Sequence, residues 1–219
     1  MKPTRPPAFT LVELVVVLAI VAVLAALVLG ALRSARAQGQ AVQCTGNLRQ
    51  LAVANLSYAA DHNGQLVNAQ DRTNKTRWHG VRLSSKQPFN AALGPLAPYL
   101  GKEQRVKICP AFLDALRGKA TFEENTGGYG YNEVYVGGTP HDRYSAEYLP
   151  NIPRLAQTVM FTDTAFARAE GIQEYPYCEP FQRIDSTGRL VGPLFASVHF
   201  RHQGRANVAW CDGHVSSEP

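Results

Sequence analysis

One apolar segment near the N-terminus constrains the fold of this chain more than any other feature. Residues 9–32 include 21 apolar side chains out of 24, and only Thr10, Glu13 and Gly30 interrupt the run. Within it, residues 14–32 are 19 consecutive uncharged positions, close to the length that crosses a bilayer as a helix. No face of the run is polar, which disfavours a helix buried against a soluble core. The segment therefore predicts a single transmembrane helix.

A cleaved secretory signal peptide is the main alternative for this segment. Its apolar stretch usually covers about 7–15 residues, fewer than here, and Ala35-Arg36-Ala37 offers only a weak cut site. Lys2 and Arg5 precede the segment, so the positive-inside rule favours an N-terminus on the cytoplasmic side and a body outside. Arg33, which follows the segment together with Arg36, weakens this charge asymmetry.

Glu13 is the one charged residue inside the apolar run. An unpaired carboxylate in hydrocarbon is costly, by about 3 kcal/mol on insertion scales. Either Glu13 lies at the membrane interface and is tolerated there, or a partner charge such as a free N-terminal amine offsets the cost.

The residues around this charge, AFTLVELVVV at positions 8–17, closely resemble the class III signal of type IV pilins and type II secretion pseudopilins. The resemblance implies that a prepilin peptidase cuts between Ala8 and Phe9, methylates the new N-terminus and leaves the apolar run as an assembly helix. It also implies that Glu13 pairs with the N-terminal amine of a neighbouring subunit. The family normally has Gly before the cut, where this chain has Ala8.

The helix is expected to continue beyond the apolar segment. Residues 31–62 contain no Pro, and apolar or small positions recur at helical spacing: Cys44, Leu48, Leu51, Asn55 and Tyr58. Asn63-Gly64 offers a C-cap, while Gly30, Gly39 and Gly46 favour bending or local melting.

After residue 64 the pattern changes to short strands and turns. We expect strands over residues 129–136 and 158–163, short helices over 92–100 and 112–117, and a terminal hairpin. The hairpin would join residues 207–211 to 214–216 through a type I′ turn at Asp212-Gly213.

The predicted fold is therefore α+β, with a long N-terminal helix packed on an antiparallel β-rich globular head, as in pilins. Its parts are a leader at residues 1–8, a transmembrane assembly helix at 9–32, an amphipathic continuation at 33–62, and the head at 63–219.

The C-terminal stretch carries a second resemblance. His202 is followed after nine residues by Asp212-Gly213, similar to the His-x9-Asp-Gly motif of a planctomycete-type pilin-like family. Further landmarks occur in the order of that family: residues 44–51, Cys109-Pro110, 129–132 and 161–163. The family's biochemical role is poorly defined, so the resemblance implies a domain organisation more than an activity.

Several polar residues are of types that bind metal ions: His199, His202, His214, Asp163 and Asp212. A metal needs three or four of them to converge, which sequence spacing does not show. The alternative we favour is structural, with His202 bonding loop backbone and Asp212-Gly213 making the turn. We expect no metal and no cofactor.

Motifs for catalysis and for nucleic-acid binding are absent from the sequence. It contains no Gly-x-Ser-x-Gly, no His-Glu-x-x-His and no phosphate loop, so we expect no catalytic residues and no enzyme. The net charge of +5 comes from scattered residues without a basic run, so no nucleic-acid partner is expected.

Four cysteines would face an oxidising space if the body is exported: Cys44, Cys109, Cys178 and Cys211. Spacing alone cannot select among their three pairings. We favour a disulfide between Cys44, on the buried stripe of the helix, and Cys109. This bridge would link the helix covalently to the head. A bridge between Cys178 and Cys211, or free buried thiols, remain alternatives.

The sequence is compatible with two functions. One is a structural subunit, a pilin or pseudopilin of a type IV pilus-like or type II secretion-like filament. Its partners would be the prepilin peptidase, other pilin or pseudopilin subunits, the inner-membrane assembly platform and the lipid bilayer. The other is a membrane-anchored extracytoplasmic module that binds a ligand such as a glycan. In both, the chain is a single-pass inner-membrane protein with its head in the periplasm or on the cell surface.

Overall fold

The structure, a computed structural model, describes residues 10–116, 124–138, 145–169, 171–184, 187–192 and 196–219. The chain divides into two compact units, one ending at Gly39 and the other beginning at Gln40. The predicted cleavage point between Ala8 and Phe9 lies outside the described residues.

The first unit is the apolar part of helix α1, which as a whole spans Leu11–Asp61. Every residue from Thr10 to Arg36 is exposed, including the large apolar side chains such as Leu11 and Leu27. This helix is long and apolar enough to cross a membrane. The local melting expected at Gly30, Gly39 and Gly46 is not seen, because α1 is continuous through all three.

The start of α1 is fixed by a reciprocal pair of side chains. The Thr10 N–H and hydroxyl donate to Glu13 Oε2 at 2.9 and 2.7 Å, and the Glu13 N–H donates to Thr10 Oγ1 at 3.2 Å. This is a capping box, in which two side chains satisfy backbone groups that the first helical turn leaves free.

The last part of α1, from Gln40 onward, belongs to the second unit and packs on the head. Its buried positions recur at steps of three and four: Cys44, Asn47, Leu48, Leu51, Ala52, Ala54, Asn55 and Ala59. Two buried asparagines join it to the sheet, because Asn47 Nδ2 donates to Tyr129 Oη at 3.2 Å and Asn55 Nδ2 donates to Tyr131 Oη at 3.1 Å. The fold is thus α+β, with a long N-terminal helix packed on antiparallel sheet.

Among its described residues, the head has one four-stranded antiparallel sheet and three two-stranded ones. In chain order the strands are β1 (Thr76–Arg77), β2 (Gly80–Val81), β3 (Tyr129–Tyr131), β4 (Val159–Asp163), β5 (Phe166–Arg168), β6 (Gly171–Gln173), β7 (Arg183–Ile184), β8 (Leu190–Val191), β9 (Ala206–Trp210) and β10 (Val215–Glu218). The main sheet has the order β10-β9-β4-β3, and the pairs β1–β2, β5–β6 and β7–β8 form the others. Strands β4 and β9 are central and largely buried.

The remaining elements are short. They are helix α2 (Pro110–Ala115), a π-helical turn at Glu133–Gly137, and 3-10 turns at Ala91–Leu93, Ala97–Tyr99, Gly101–Glu103, Leu149–Asn151 and Leu155–Gln157.

Three predicted elements differ from these bounds. The strand expected over 129–136 ends at Tyr131, because Asn132 Oδ1 accepts the Tyr135 N–H at 3.1 Å and starts the π-helical turn. The helix expected over 92–100 is two 3-10 turns separated by Gly94-Pro95-Leu96, where Pro95 cannot donate a helical hydrogen bond. The helix expected over 112–117 begins two residues earlier, at Pro110, a favoured first helical position.

Candidate functional site

The motif residue His202 is brought into the core by a tight turn. His202 and Arg205 exchange backbone hydrogen bonds of 3.0 and 3.1 Å across Gln203-Gly204. Both central residues have positive φ, 56° and 81°, the pattern of a type I′ turn. The type I′ turn of the His-x9-Asp-Gly segment is therefore at Gln203-Gly204. The His202 side chain next to it is buried.

Asp163, the last residue of β4, is the centre of a buried charged cluster. Its Oδ1 lies 2.6 Å from Arg201 Nη2. Its Oδ2 lies 3.2 Å from His202 Nε2 and accepts the Asn207 N–H at 2.7 Å. The Asp163 side chain has 0% exposure. Its partners therefore replace the hydrogen bonds to water that the carboxylate loses on burial.

The Arg201 guanidinium satisfies its other donors on backbone and on sulfur. Nη2 also donates to the Gly128 carbonyl at 2.6 Å, and Nη1 donates to the Thr164 carbonyl at 3.2 Å. Its Nε lies 3.4 Å from Cys109 Sγ, and the group sits 5.1 Å from the centre of the Phe112 ring.

The cluster lies against a disulfide between Cys44 and Cys109, whose Cα atoms are 5.0 Å apart. Both residues have 0% exposure. The bridge joins α1 to the residue preceding α2 and is the pairing favoured from the sequence. His202 Nε2 is 3.7 Å from Cys109 Sγ.

The alternative bridge between Cys178 and Cys211 does not form, and both are free thiols. Their backbones are bonded at different places: the Cys178 N–H donates to the Tyr131 carbonyl in β3, and the Cys211 N–H donates to the carbonyl of Thr158, just before β4. That second pairing is therefore wrong.

The five residues considered for a metal do not meet at one point in the described part of the chain. His202 and Asp163 do meet. Asp212 and His214 instead pair with each other at 2.6 Å on the exposed hairpin, and His199 contributes only its backbone N–H, to the Asp163 carbonyl at 2.9 Å.

Another trio does converge, because one ligand atom each from Cys44, Cys109 and His202 lie within 4.8 Å of one another. The two sulfurs are bonded to each other, however. Since thiolates rather than disulfide sulfurs bind metal ions, this trio in its oxidised state is not a metal site.

The turn at Asp212-Gly213 differs from the predicted type I′ form. Only Gly213 has positive φ, at 89°, and the Gly213 N–H donates to the Trp210 carbonyl at 2.9 Å. The Trp210 N–H donates to the His214 carbonyl at 3.0 Å, so the loop has three residues: a type I turn followed by a left-handed glycine. Asp212 Oδ1 fixes it by accepting the His214 N–H at 3.0 Å.

Burial sets the charge state of His199 beside the cluster. Loss of hydration lowers the pKa of this imidazole, and the neighbouring Arg201 cation lowers it further. His199 is therefore neutral at physiological pH.

A second feature of the head is a cavity of about 620 Å³ on the side of the π-helical turn. Its lining is Asn132, Tyr135, Glu147, Asn151, Ile152, Pro153, Gln157, Thr158, Val159, Cys178, Glu179, Pro180 and Val198. The wall is mostly apolar, with polar groups at a few points, as in many small-molecule sites.

Sequence reasoning missed the roles of four side chains. Arg201, although next to the motif histidine, carried no periodic or spacing signal. Asn55 was assigned only to the buried stripe of the helix, and Asn47 only to the landmark segment 44–51. Thr10 could have been found, because Thr-x-x-Glu before an apolar run is a capping-box signature.

Comparison of the chain with protein-family models, curated proteins and solved structures found no match. The candidate site joins α1, the main sheet and the C-terminal turn through the Cys44–Cys109 disulfide and the buried Asp163–Arg201 ion pair.

Proposed function

We propose that this chain is a structural subunit, a pilin or pseudopilin, of a type IV pilus-like or type II secretion-like filament. The observation that carries the proposal is the apolar half of α1. All of its large side chains are exposed, from Leu11 at 79% to Val17 at 47%. Since soluble monomers rarely expose contiguous apolar surface of this extent, the segment requires lipid or copies of itself as partners.

Glu13 supports the filament over a simple anchor. A simple anchor gains from this carboxylate only a helix cap, whereas a subunit can also pair it with the N-terminal amine of a neighbour. The capping box with Thr10 accounts for the carboxylate within a single chain, and the two roles make different demands. A cap at this position works with Glu or Gln, but an ion pair needs the charge.

The head suits a rod-and-head subunit because it is fastened to the helix by covalent and polar links. These are the Cys44–Cys109 bridge and the hydrogen bonds from Asn47 to Tyr129 and from Asn55 to Tyr131. In the proposed cycle a prepilin peptidase removes residues 1–8 and methylates Phe9, and an inner-membrane assembly platform extracts the subunit from the bilayer. The N-terminus is inside, and the head is in the periplasm or on the cell surface.

The test uses three variants of the full chain expressed in cells that have the peptidase and the platform. Sheared surface filaments are purified and their subunits quantified. We expect Glu13→Gln to abolish or strongly reduce filaments because the charge is lost, while Thr10→Ala, which removes the hydroxyl of the cap but keeps the charge, has a smaller effect.

Glu13→Ala, which removes both charge and cap, should be at least as defective as Glu13→Gln. If Glu13→Gln assembles like the wild type while Thr10→Ala does not, Glu13 is only a cap and the filament proposal loses its main support. Recovery of the wild-type chain only as membrane monomers contradicts the proposal directly.

The second candidate is a membrane-anchored ligand-binding module, and the cavity beside Tyr135 favours it. Tyr135 is 55% exposed, and Glu147, Asn151 and Gln157 line the same cavity, a combination of aromatic and amide or carboxylate groups that suits a glycan. A module of this kind would keep ligand binding in Glu13→Gln and lose it in Tyr135→Ala. A pure filament subunit would show the reverse pattern in assembly.

A further inference from the structure

The cavity beside the π-helical turn has two carboxylates in its wall. Glu147 and Glu179 both line it, and Lys, Arg and His do not occur among the described residues that line it. Neither glutamate takes part in an ion pair within the described part of the chain. A molecule that enters this cavity therefore meets negative charge that the described wall does not neutralise.

Neutral groups hold the two carboxylates in place. Glu179 Oε2 accepts the Tyr175 hydroxyl at 2.7 Å. Glu147 Oε1 accepts the Asn151 side-chain amide at 2.9 Å and the Tyr148 N–H at 3.2 Å. Glu179 Oε1 and Glu147 Oε2 have no hydrogen-bond partner among the described residues, so each carboxylate keeps one oxygen for a ligand.

The charge of Glu179 acts on two neighbouring groups. Burial raises the pKa of the Tyr175 hydroxyl, and the hydrogen bond and charge of Glu179 raise it further. Burial and the same carboxylate raise the pKa of the Cys178 thiol to about 12. Both groups therefore stay protonated at neutral pH, and neither adds to the negative charge of the wall.

Backbone hydrogen bonds fix the two segments that carry the glutamates. The Glu147 N–H donates to the Val136 carbonyl of the π-helical turn at 2.8 Å, and the Cys178 N–H donates to the Tyr131 carbonyl of β3 at 2.8 Å. The wall is thus formed before a ligand binds. Because little of the protein has to be ordered, more of the interaction free energy appears as affinity.

The rest of the wall suits a sugar ring better than a simple alkyl cation. Tyr135 is 55% exposed, and its ring offers an apolar face with a polar tip. The side-chain amides of Asn151 and Gln157 line the same cavity and can donate to or accept from hydroxyl groups. A Lys side chain has a thin aliphatic stem and no hydroxyl group, so it would leave these amides unused.

We propose that the cavity binds a glycan with free amino groups, whose ammonium groups pair with the Glu147 and Glu179 carboxylates while a sugar ring packs on Tyr135. An ammonium supplies both the charge and the donors that carboxylate oxygens bind most strongly, whereas an acetylated amino sugar offers a neutral amide. This inference rests on the second candidate function, because it names the ligand class of the same cavity. It does not depend on filament assembly.

The first experiment compares two oligosaccharides that differ only at nitrogen. Calorimetric titration of the full-length chain in neutral detergent measures the binding of the glucosamine tetramer and of the N-acetylglucosamine tetramer. The titration is run at about pH 6, above the ordinary pKa of Glu and below that of an amine. We expect the aminated tetramer to bind about tenfold more tightly or better, and added salt to weaken its binding.

The second experiment removes the charges and keeps the hydrogen bonds. In Glu147→Gln and Glu179→Gln the amide oxygen still accepts from the neighbouring donor. Each variant should bind the aminated tetramer about tenfold more weakly. Glu103→Gln is the matched control, because it makes the same change at an exposed carboxylate that faces Arg105 and Lys107 instead. It should bind like the wild type.

Tyr135 separates recognition of the ring from recognition of the charge. Tyr135→Ala should weaken the binding of both tetramers, and Tyr135→Phe, which keeps the ring, should bind the aminated tetramer within a few-fold of the wild type. Circular dichroism selects the variants that remain folded.

Three results overturn the inference, and they have different consequences for the proposed functions. Equal binding of the two tetramers removes the role of charge and leaves a glycan-binding module in place. Binding of tetralysine without binding of the aminated tetramer assigns the cavity to a peptide. Binding of neither tetramer, with normal filament assembly, rejects the inference and the second candidate function together and leaves the filament proposal standing.

Discussion

His79 is a buried imidazole whose ring nitrogens have no hydrogen-bond partner in the described part of the chain. It packs against Trp78 and Phe89 at ring-centre distances of 5.1 and 4.8 Å. Burial lowers its pKa well below the usual value, and the nearby Arg77 and Arg82 cations lower it further. The folded head therefore holds His79 neutral, while the unfolded chain protonates it below a pH of about 6.5.

Because His79 is held neutral in the folded head, we expect the free energy of unfolding to decrease at acid pH. Because the unfolded state binds the extra proton, the contribution of His79 to the free energy of unfolding is complete above a pH of about 6.5. It falls as the pH drops below that value. Between about pH 7.5 and 5.5 we expect a loss of about 1 kcal/mol from this residue alone. Urea unfolding of the full chain in detergent, followed by near-ultraviolet circular dichroism, measures it.

His79→Phe is the matched variant because it keeps the aromatic contacts and cannot titrate. Its acid-side slope should be shallower than that of the wild type by about one proton. His199→Gln serves as a second comparison, since burial lowers the pKa of His199 in the same direction. An unchanged slope in His79→Phe would show that His79 is protonated or hydrated in the folded head.

At the scale of elements, the C-terminal region is organised by two tight turns with left-handed glycines. Gly204 has φ 81° and Gly213 has φ 89°. A Cβ at Gly204 would have no atom within 4 Å, whereas one at Gly213 would lie 3.2 Å from Leu56 Cδ1. The two positions therefore separate backbone strain from contact with α1.

Gly204→Ala should cost about 1–2 kcal/mol of head stability, the ordinary cost of a left-handed residue with a Cβ. Gly213→Ala should cost more, because Leu56 must also move. Gly204→Asn should recover part of the loss, since Asn tolerates this conformation. Urea midpoints of the three variants check the order, and equal losses at both positions would mean that Leu56 yields freely.

Some boundaries of the secondary-structure elements depend only on neighbouring residues. The capping box at Thr10 and Glu13, the end of α1 near Asn63-Gly64 and strand β4 all follow from residues a few positions apart. The end of strand β3 at Tyr131 was not predicted: Asn132 Oδ1 starts the π-helical turn locally, but its side chain is also held by a distant group, because Nδ2 donates to the Val159 carbonyl 27 residues away at 2.8 Å.

For the whole molecule, the Cys44–Cys109 bridge is the covalent link between α1 and the rest of the head. It closes a separation of 65 residues, which corresponds to about 4 kcal/mol in the chain-entropy account. We expect Cys44→Ser to lower the free energy of unfolding by about this amount. Cys178→Ser, which changes a free thiol, is the control and should have little effect.

Non-reducing peptide mapping of exported protein complements that measurement. A peptide that joins Cys44 to Cys178 or to Cys211 would contradict the bridge. So would a Cys44→Ser variant whose urea midpoint equals that of the wild type.

The processing prediction also concerns the whole chain. Cleavage between Ala8 and Phe9 removes residues 1–8 and lowers the net charge by two from +5, because Lys2 and Arg5 leave. Intact-mass analysis of protein expressed with a prepilin peptidase should show this loss plus one methyl group. Retention of Met1 through Ala8 would make the segment a permanent anchor.

The sequence by itself determined the features that depend on neighbouring residues. The exposed apolar helix follows from 19 uncharged residues in a row, and the buried stripe of α1 follows from a helical period. The chemistry of Asp212-Gly213 marked a turn, although not its type, because loop length depends on how β9 and β10 pair.

Only the tertiary structure decided which distant residues meet. Three cysteine pairings were possible, and the fold brings Cys109 to Cys44 across 65 residues. It also brings Arg201 and His202 to the same sulfur and to Asp163, and it leaves Asp212 and His214 paired on the surface. Burial gives the physical reason: a charged side chain can enter the core only where the packed elements supply its counter-charge and its hydrogen bonds, and that supply is a property of the assembled fold.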